Sequence, residues 1–242
     1  MEENNNESKL FVEDRKIVVP GEVLAKGIEY LPGHDTYKIN NEIRSKILGL
    51  VKIKNHLINV VPLSGGYMPQ ERDGVIGEVV DIQPYAWLVN INSPYLGYLS
   101  LSEGVEEFVD LAKSDLTEYF DVGDVIYAKI KKVTKRKDVL LTMKDKMCRK
   151  LRGGTIIRIT PAKVPRLIGK GGSMVETIKE KTGCKIIIGQ NGFVWISGKN
   201  ISAAAKAVLM VERESHTTGL TERIGKLLEK ELSNVDKGDE NE

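Results

Sequence analysis

A glycine-rich turn near residue 170 constrains the fold of this chain more than any other feature of its sequence. Residues 164–182 read VPRLIGKGGSMVETIKEKT, and Gly169-Lys170-Gly171-Gly172 lies between two short apolar segments with helical periodicity. Because glycine has no Cβ, such a turn brings one backbone very close to another. The amides that open the following helix then face outward, where a phosphate can accept hydrogen bonds from them. The stretch therefore predicts two helices joined by a tight turn that carries the positive charge of Lys170.

The segments on either side of the turn predict a small α+β domain. A strand-like run at 155–159 precedes it. Ser173 and Glu176 have the spacing of a capping box, in which both side chains satisfy free helix amides, and Gly183 supplies a helix stop. Two further strands and an apolar helix are predicted at 184–188, 193–197 and 201–214. The predicted order is strand, helix, glycine turn, helix, strand, strand, helix.

This order, with Gly-x-x-Gly between the first two helices, resembles the KH family of nucleic-acid-binding domains. In that family the glycine loop clamps a short run of backbone nucleotides. The resemblance implies an RNA-binding loop formed by Gly169, Lys170, Gly171 and Gly172, with Arg166 beside it. An ordinary glycine turn in a small α+β domain is the alternative interpretation.

The distribution of charge favours the nucleic-acid interpretation. The chain has a net charge of only +2. Between Arg149 and Lys199, however, eleven basic residues face two acidic ones, which leaves a net charge of +9. The flanking parts are acidic, with −4 over residues 1–148 and −3 over residues 200–242. A positive field concentrated on one module is the electrostatic footprint of a phosphate-binding surface.

The middle of the chain predicts a small OB-type barrel of five strands with one helix inserted. The strands are predicted at 74–82, 86–91, 96–101, 122–130 and 139–143, and the helix at 105–120. The phrases Gly-x-Val, Gly-aromatic-Leu-x-x-Ser and Val-Gly-Asp-x-Ile-x-x-Lys-Ile resemble the S1 family of RNA-binding domains.

The S1 resemblance implies that Trp87 and Tyr98 are surface aromatics on which bases stack. Stacking of this kind contributes about 1–3 kcal/mol per base. We expect Tyr127 to fill space within the barrel, whereas for Tyr85 the stacking and space-filling interpretations stay equally open. Ser100 stands where many S1 domains carry a histidine, so one familiar base contact is in doubt.

Basic residues complete the predicted S1 face. Lys129 lies in the fourth strand, and Lys135-Arg136-Lys137 forms a turn between the last two strands. This turn could grip the RNA backbone, or it could be a solubilising hairpin tip. Both interpretations stay open.

The N-terminal part of the chain predicts another strand-rich unit. Residues 47–53 and 57–61 alternate around Lys54-Asn55-His56, which indicates a hairpin. The phrases VVPGEVL, YLPGHDTY, INVVPL and YMPQERDGVIGEV resemble the RNA-binding cap subunits of the archaeal exosome, the ribosomal RNA-processing protein 4 family. The resemblance extends from about residue 10 to about residue 230. Asp35 replaces a glycine of that family, which puts a local turn conformation in question.

The family resemblance implies partners and a division of labour. It implies a non-catalytic cap that captures single-stranded RNA and feeds its 3′ end into a hexameric ring of phosphorolytic ribonuclease-like subunits. It also implies three cap copies per ring, alone or mixed with a second cap subunit that ends in a zinc ribbon. The second subunit is poorly supported as an identity for this chain, because a zinc ribbon needs paired Cys-x-x-Cys knuckles. The two cysteines of this chain, Cys148 and Cys184, are isolated.

Other classes of protein find little support. No apolar run is long enough to cross a bilayer, and the acidic N-terminus is unlike a secretory signal, so we expect a cytoplasmic protein. The three histidines are scattered, and neither a Walker loop nor a dinucleotide fingerprint is present. We therefore expect no catalytic residue, metal or cofactor, although a nuclease site built from distant acids is a further hypothesis.

The predicted fold class is a multidomain chain with an all-β N-terminal domain, an OB-type S1-like barrel and an α+β KH domain. The predicted domains are 1–68, 69–147 and 148–232, the last with a C-terminal helix over 218–232, followed by a disordered acidic tail over 233–242. Two hypotheses compete with the exosome cap: a stand-alone S1/KH regulator of transcription or translation, and a ribonuclease. Within the cap hypothesis, the glycine loop could touch protein and not RNA.

Overall fold

The computed structural model describes residues 8–63, 65–105, 115–215, 217 and 219–239, with only the backbone described over 232–239. These residues form two compact units, of which the first ends at Gly65 and the second begins at Gly66. The S1-like and KH-like parts both belong to the second unit. The exact domain boundaries stay predictions.

The first unit is a β domain made of two four-stranded sheets. Its strands are β1 Lys9–Leu10, β2 Ile17–Val18, β3 Val23–Lys26, β4 Leu31–Pro32, β5 Thr36–Ile39, β6 Glu42–Ser45, β7 Gly49–Lys54 and β8 Leu57–Pro62. One sheet has the order β1-β3-β6-β5 and the other the order β2-β7-β8-β4. Leu24 and Ile43 from the first sheet share a buried core with Val51, Ile58 and Val60 from the second. The predicted all-β fold is confirmed.

Two tight turns in this unit depend on left-handed residues. Asn55 and His56, with φ of 47° and 63°, connect β7 to β8, which confirms the predicted hairpin. Two successive positive φ angles give the turn a twist that matches the flanking strands. Asp35 has a φ of 56°, so the substituted position keeps the left-handed region that favours glycine.

The second unit opens with the predicted five-stranded barrel, which is confirmed. Its strands are β9 Gly74–Gln83, β10 Ala86–Asn90, β11 Gly97–Ser100, β12 Val125–Val133 and β13 Val139–Thr142. They follow the order β13-β11-β10-β9-β12, and the sheet closes because β12 also pairs with β13. The β11–β13 pair is parallel and the other pairs are antiparallel.

Two short helical segments follow β11. Helix α1 covers Leu101–Gly104, and a single 3₁₀ turn covers Leu116–Glu118. Most of the helix predicted over 105–120 falls on residues 106–114, which lie outside the described residues. Strand β14, Arg149–Leu151, then extends the barrel sheet beside β12.

The remainder of the second unit has the predicted order of KH elements. They are β15 Thr155–Arg158, α2 Val164–Ile168, α3 Ser173–Thr182, β16 Lys185–Ile188, β17 Phe193–Ser197, α4 Ile201–Glu214 and α5 Leu220–Asp239. The sheet has the antiparallel order β15-β17-β16. Leu167, Ile178, Val194, Ala204 and Val208 are fully buried where the helices pack on this sheet.

The predicted capping box at the start of α3 is wrong. Gly172 occupies the N-cap with φ 85°, and no side chain caps the helix. Ser173 already has helical angles, φ −57° and ψ −37°. A capping side chain must come from a residue outside the helix, so the serine is one position too late for this role. The other predicted signal is confirmed, since Gly183 ends α3 in the left-handed conformation.

Helix α5 runs further than the sequence suggested. It begins at Leu220 and reaches Asp239, into the segment predicted to be an acidic tail. Ile224 and Leu228 are fully buried against α3 and α4, as the predicted apolar stripe requires. A salt bridge of 2.7 Å between Lys181 and Glu229 connects α3 to α5.

A buried asparagine joins the KH sheet to the barrel. Asn191 lies in the β16–β17 turn with no exposed surface. Its Nδ2 donates to the carbonyl oxygens of Ile76 at 2.6 Å and Ile91 at 2.9 Å, and its Oδ1 accepts from the Ile76 amide at 3.3 Å. Asn92 Nδ2 donates to the Asn191 carbonyl oxygen at 2.7 Å. One side chain thus satisfies three backbone groups of the barrel.

Candidate nucleic-acid interface

The glycine loop has a backbone that most other residues would adopt only under strain. Gly169, Gly171 and Gly172 have φ of 77°, 61° and 85°. A Cβ on Gly169 would lie 2.8 Å from the backbone nitrogen of Met174, which is too close for any side chain. Gly171 and Gly172 have open space around them, so a side chain would meet no neighbouring atom there. At these two positions it is the positive φ that favours glycine.

The same loop exposes positive charge at a helix N-terminus that no side chain caps. The Lys170 side chain is exposed, and it makes no hydrogen bond or ion pair with another described residue. Within the turn the Ser173 amide donates to the Lys170 carbonyl oxygen, and the positive end of the α3 dipole lies beside the loop. The arrangement can hold a phosphodiester group between a lysine ammonium and a helix N-terminus.

Arg166 lies one helical turn before the loop and is already partly engaged. It is exposed at the end of α2, and its Nη2 donates to the carbonyl oxygen of Thr217 at 3.0 Å. A guanidinium has five N–H donors, so one backbone contact leaves several for a phosphate. The contact holds the side chain in one direction beside the loop.

Trp87 is not the surface aromatic that the sequence suggested. Its side chain is fully buried, Nε1 donates to the Phe120 carbonyl oxygen at 2.9 Å, and the two rings meet edge to face at 5.0 Å. Trp87 shares the inward side of the chain with Val89 and Ile91, at the two-residue spacing of a strand. That alternation is visible in the sequence, and it predicts that Leu88, not Trp87, faces outward.

Tyr98 lies on the outer surface of the barrel. It is half-buried and belongs to none of the buried clusters. The strand register pairs it with Leu88 on β10 and Leu140 on β13. We call Leu88, Tyr98 and Leu140 the Tyr98 strip. Lys132, exposed on β12, is in register with Leu140 and places a cation at one end of the strip.

The predicted S1 cations differ in whether a neighbouring carboxylate already pairs with them. Lys129 Nζ lies 2.6 Å from the Asp145 carboxylate, and this hydrogen bond raises the pKa of Lys129 and lowers that of Asp145. Lys135, Arg136 and Lys137 are exposed at the tip of the β12–β13 hairpin, where none has an ion pair with a described residue.

The other two tyrosines considered in the sequence, Tyr127 and Tyr85, have separate environments. Tyr127 packs into the cluster between the barrel and the KH sheet, with Ile76 and Trp195, as expected of a space-filling ring. Burial raises its pKa. Tyr85 is 66% exposed at the β9–β10 turn, which makes it accessible to a base.

The described residues contain no group of three or more side chains that could hold a metal ion. None of the described helices is long and apolar enough to span a membrane.

Comparison with known proteins identifies the parts of the chain. A model of the exosome RNA-binding protein RRP4 N-terminal domain matches residues 15–64, and a KH domain model matches residues 154–202. The exosome complex component Rrp4 of Thermococcus kodakarensis is 48% identical over 225 residues, which cover 91% of this chain and 87% of that protein. The corresponding protein of Pyrococcus furiosus is 46% identical over 232 residues, covering 94% of this chain and 88% of its own length.

A solved structure supports the same relationship. It is provisionally described as an exosome complex RNA-binding protein, is 37% identical and has a TM-score of 0.65. The match covers 70% of this chain and 98% of the solved one. An all-β N-terminal domain, an S1-like barrel and a KH domain with an exposed glycine loop define a multidomain protein with RNA-binding folds. The chain belongs to the Rrp4 family of exosome complex components.

Proposed function

We propose that this chain is a non-catalytic cap subunit of an exosome, which captures single-stranded RNA and directs its 3′ end into a ring of phosphorolytic ribonuclease subunits. The observation that carries the proposal is the exposed glycine loop, in which the Lys170 side chain has no partner among the described residues and no side chain caps α3. The names of the relatives support the exosome assignment. Loose sequence preference follows, because every nucleotide offers a phosphate and a base face.

The S1 face supplies the second half of the proposed RNA site. The Tyr98 strip offers one aromatic platform with aliphatic residues on both sides. Lys132 and the hairpin cations Lys135 to Lys137 are free of ion pairs with described residues and can contact the backbone. Lys129 contributes less, since a phosphate must displace Asp145 to reach it.

The first unit supplies the proposed docking surface for the ring. Ile17, Leu50 and Val61 lie in register across β2, β7 and β8 on the outer side of the sheet. Ile17 is 57% exposed and Val61 43% exposed, and Val19 and Leu48 extend the surface beyond them. We call these five residues the apolar face. Contiguous exposed apolar residues mark protein interaction sites more often than RNA sites, which need positive charge.

The proposed assembly contains three copies of the chain on one hexameric ring, alone or together with the zinc-ribbon cap subunit. The proposed location is the cytoplasm, with no contact to a membrane. Purified chain mixed with labelled RNA and either phosphate or magnesium is expected to leave the RNA at full length. Shortening of the RNA would favour the ribonuclease hypothesis.

Substitution in the glycine loop tests RNA capture. The double variant Lys170→Asp, Gly171→Asp places negative charge where the phosphate is proposed to lie. Asp tolerates the left-handed conformation and meets no neighbouring atom at position 171, so we expect the thermal midpoint to be unchanged. Fluorescence anisotropy with a short oligoadenylate at fixed salt should show a loss of affinity of at least about tenfold.

The matched control is Lys185→Asp, Lys199→Asp, which changes the charge of two exposed residues elsewhere in the KH domain. It should weaken binding far less, through the long-range field alone. Equal RNA affinity of the loop variant and the natural chain would overturn the proposal. If the loop variant instead loses only its place in the assembly, the loop contacts protein.

A further inference from the structure

The outer surface of the barrel carries a row of hydroxyl groups beside the Tyr98 strip. Ser100 follows Tyr98 by two residues on β11, and Thr142 follows Leu140 by two residues on β13. The parallel register of Tyr98 and Leu140 therefore brings Ser100 to the side of Thr142. Ser102 joins them, since its Oγ lies 3.3 Å from Ser100 Oγ. We call Ser100, Ser102 and Thr142 the hydroxyl row.

A carboxylate is held against this row by two lysines. Glu103 accepts a hydrogen bond from the Thr142 side chain, and its Oε1 lies 2.9 Å from Lys131 Nζ and 3.6 Å from Lys144 Nζ. These contacts lower the pKa of Glu103, so it stays ionised at neutral pH. Its side chain is only 15% exposed, and the Met143 amide donates to its backbone carbonyl oxygen at 2.9 Å. The carboxylate is thus fixed in place.

Several acceptor sites in this row remain available. A carboxylate has about four lone-pair sites, and three are used by the two lysines and Thr142. Thr142 Oγ1 also accepts from the Lys144 amide at 3.3 Å, which leaves it one lone pair. Ser100 and Ser102 share one hydrogen bond, which uses the donor of one hydroxyl group and one acceptor site of the other. The row can therefore both accept from and donate to a further hydroxyl group.

Such a row fits a ribose better than any other part of a nucleic acid. A phosphodiester has no hydrogen to donate to the acceptors of Glu103 and Thr142, and an apolar base face gains nothing from hydroxyl groups. The ribose 2′-hydroxyl is both donor and acceptor, and deoxyribose lacks it. Two residues along a strand span about 6.6 Å, which is the scale that separates a stacked base from its own sugar.

We infer that Ser100, Ser102, Thr142 and Glu103 form a ribose-reading subsite, which makes the S1 barrel selective for RNA over single-stranded DNA. The inference rests on the proposed function, because it needs a base on the Tyr98 strip. In this subsite Ser100, which stands where many S1 domains carry a histidine, contacts the ribose and not the base. The ligand class is a single-stranded ribonucleotide chain, recognised through its sugar.

The test compares affinities for an oligoadenylate and the deoxy oligonucleotide of the same sequence, at one salt concentration, on the full chain. Ser100→Ala and Thr142→Val each remove one hydroxyl group. Each variant should weaken RNA binding by about two- to tenfold and leave DNA binding unchanged. Thr142→Ser restores the hydroxyl and should restore the RNA preference. Thr155→Val, which removes an exposed hydroxyl from β15, serves as the matched control and should change neither affinity.

The outcomes separate this inference from the proposed function. If RNA and DNA affinities fall by the same factor, or the ratio of the two stays unchanged, the ribose subsite is refuted while RNA capture stands. If the natural chain binds neither oligonucleotide, both the subsite and the proposed function are refuted. A change in the ratio with Thr155→Val would refute the assignment to the hydroxyl row.

Discussion

The apolar face of the first unit and the glycine loop of the second unit are both exposed, but they are built from opposite chemistry. The apolar face presents Ile17, Leu50 and Val61 across three neighbouring strands. The glycine loop presents a lysine side chain without a described partner and a helix N-terminus that no side chain caps. Burial of apolar area stabilises contact with another protein surface, whereas charge and amides stabilise contact with phosphate. Under the proposed function, the first unit therefore serves assembly and the second serves RNA capture.

A second contrast lies within the basic residues of the second unit. Lys129 and Lys131 are paired with Asp145 and Glu103, whereas Lys170 and the hairpin cations have no partner among the described residues. Exposed ion pairs of the first kind contribute little to stability. Net charge alone therefore overstates the number of residues that are ready to meet a phosphate.

The largest effect is expected from charges placed on the apolar face, because they would remove the apolar surface that is proposed to dock the chain in the assembly. Ile17→Asp, Val61→Asp puts two carboxylates where a dry interface is proposed, and burying an unpaired charge is strongly unfavourable. We expect the chain to leave the large complex after native purification, as measured by size-exclusion chromatography with mass detection. Its affinity for RNA should not change.

Ile39→Asp is the control for this experiment, because Ile39 is exposed on the other sheet of the same unit. It should leave assembly intact. A natural chain that purifies as a lone monomer would contradict the cap and favour the stand-alone regulator. Loss of RNA binding by the apolar-face variant would contradict the division of labour.

The next largest effect concerns the stability of the second unit. Asn191→Ala leaves two carbonyl oxygens and one amide of the barrel without their partner, and each unsatisfied buried group costs about 1–3 kcal/mol. We expect urea denaturation of the second unit to show a loss of at least about 2 kcal/mol. Gln190→Ala is the control, since only the backbone amide of Gln190 contacts Gly74. Equal losses of stability in both variants would show that the side-chain hydrogen bonds of Asn191 do not stabilise the second unit.

A smaller effect is expected at the hairpin tip. Replacing Lys135, Arg136 and Lys137 by alanine removes three cations that have no ion pair with a described residue, and it does not touch the barrel core. For a single strand, the slope of log affinity against log salt changes by about 0.7 for each phosphate that the protein no longer neutralises. A reduced slope would show that the tip grips the RNA backbone. An unchanged slope would leave it a solubilising turn.

The weakest effect is a pH dependence of stability at Glu103. Its pKa in the folded chain lies below the ordinary value of 4.5, chiefly because Thr142 and Lys131 hydrogen-bond to the ionised form. The stabilisation is therefore complete above the unfolded pKa and is lost as the pH falls through the lowered folded pKa. The thermal midpoint of the natural chain should exceed that of Glu103→Gln at neutral pH. The difference should shrink as the pH falls below the ordinary pKa, and a difference that does not change with pH would mean that the carboxylate charge is not responsible.

Sequence patterns predicted most of the fold because the relevant signals are local. Gly183 ends α3, Asn55 and His56 turn the β7–β8 hairpin, and the five barrel strands lie close to their predicted positions. Each of these depends on backbone angles or on two-residue alternation within a short segment. The capping box failed for a related reason, since a shift of one residue decides whether Ser173 lies outside the helix or within it.

The order of residues alone specified the classes of domain, the glycine loop and the region where positive charge concentrates. It did not specify which side chains reach the surface. Trp87 turned inward because the barrel closes around it and Phe120 accepts its N–H, whereas Tyr98 stayed outside between Leu88 and Leu140. The partners of Lys129, Glu103 and Asn191 come from strands and turns far apart along the chain. Because only the closed barrel and its packing bring such distant groups within a few ångströms, the folded structure settled which residues are free to bind.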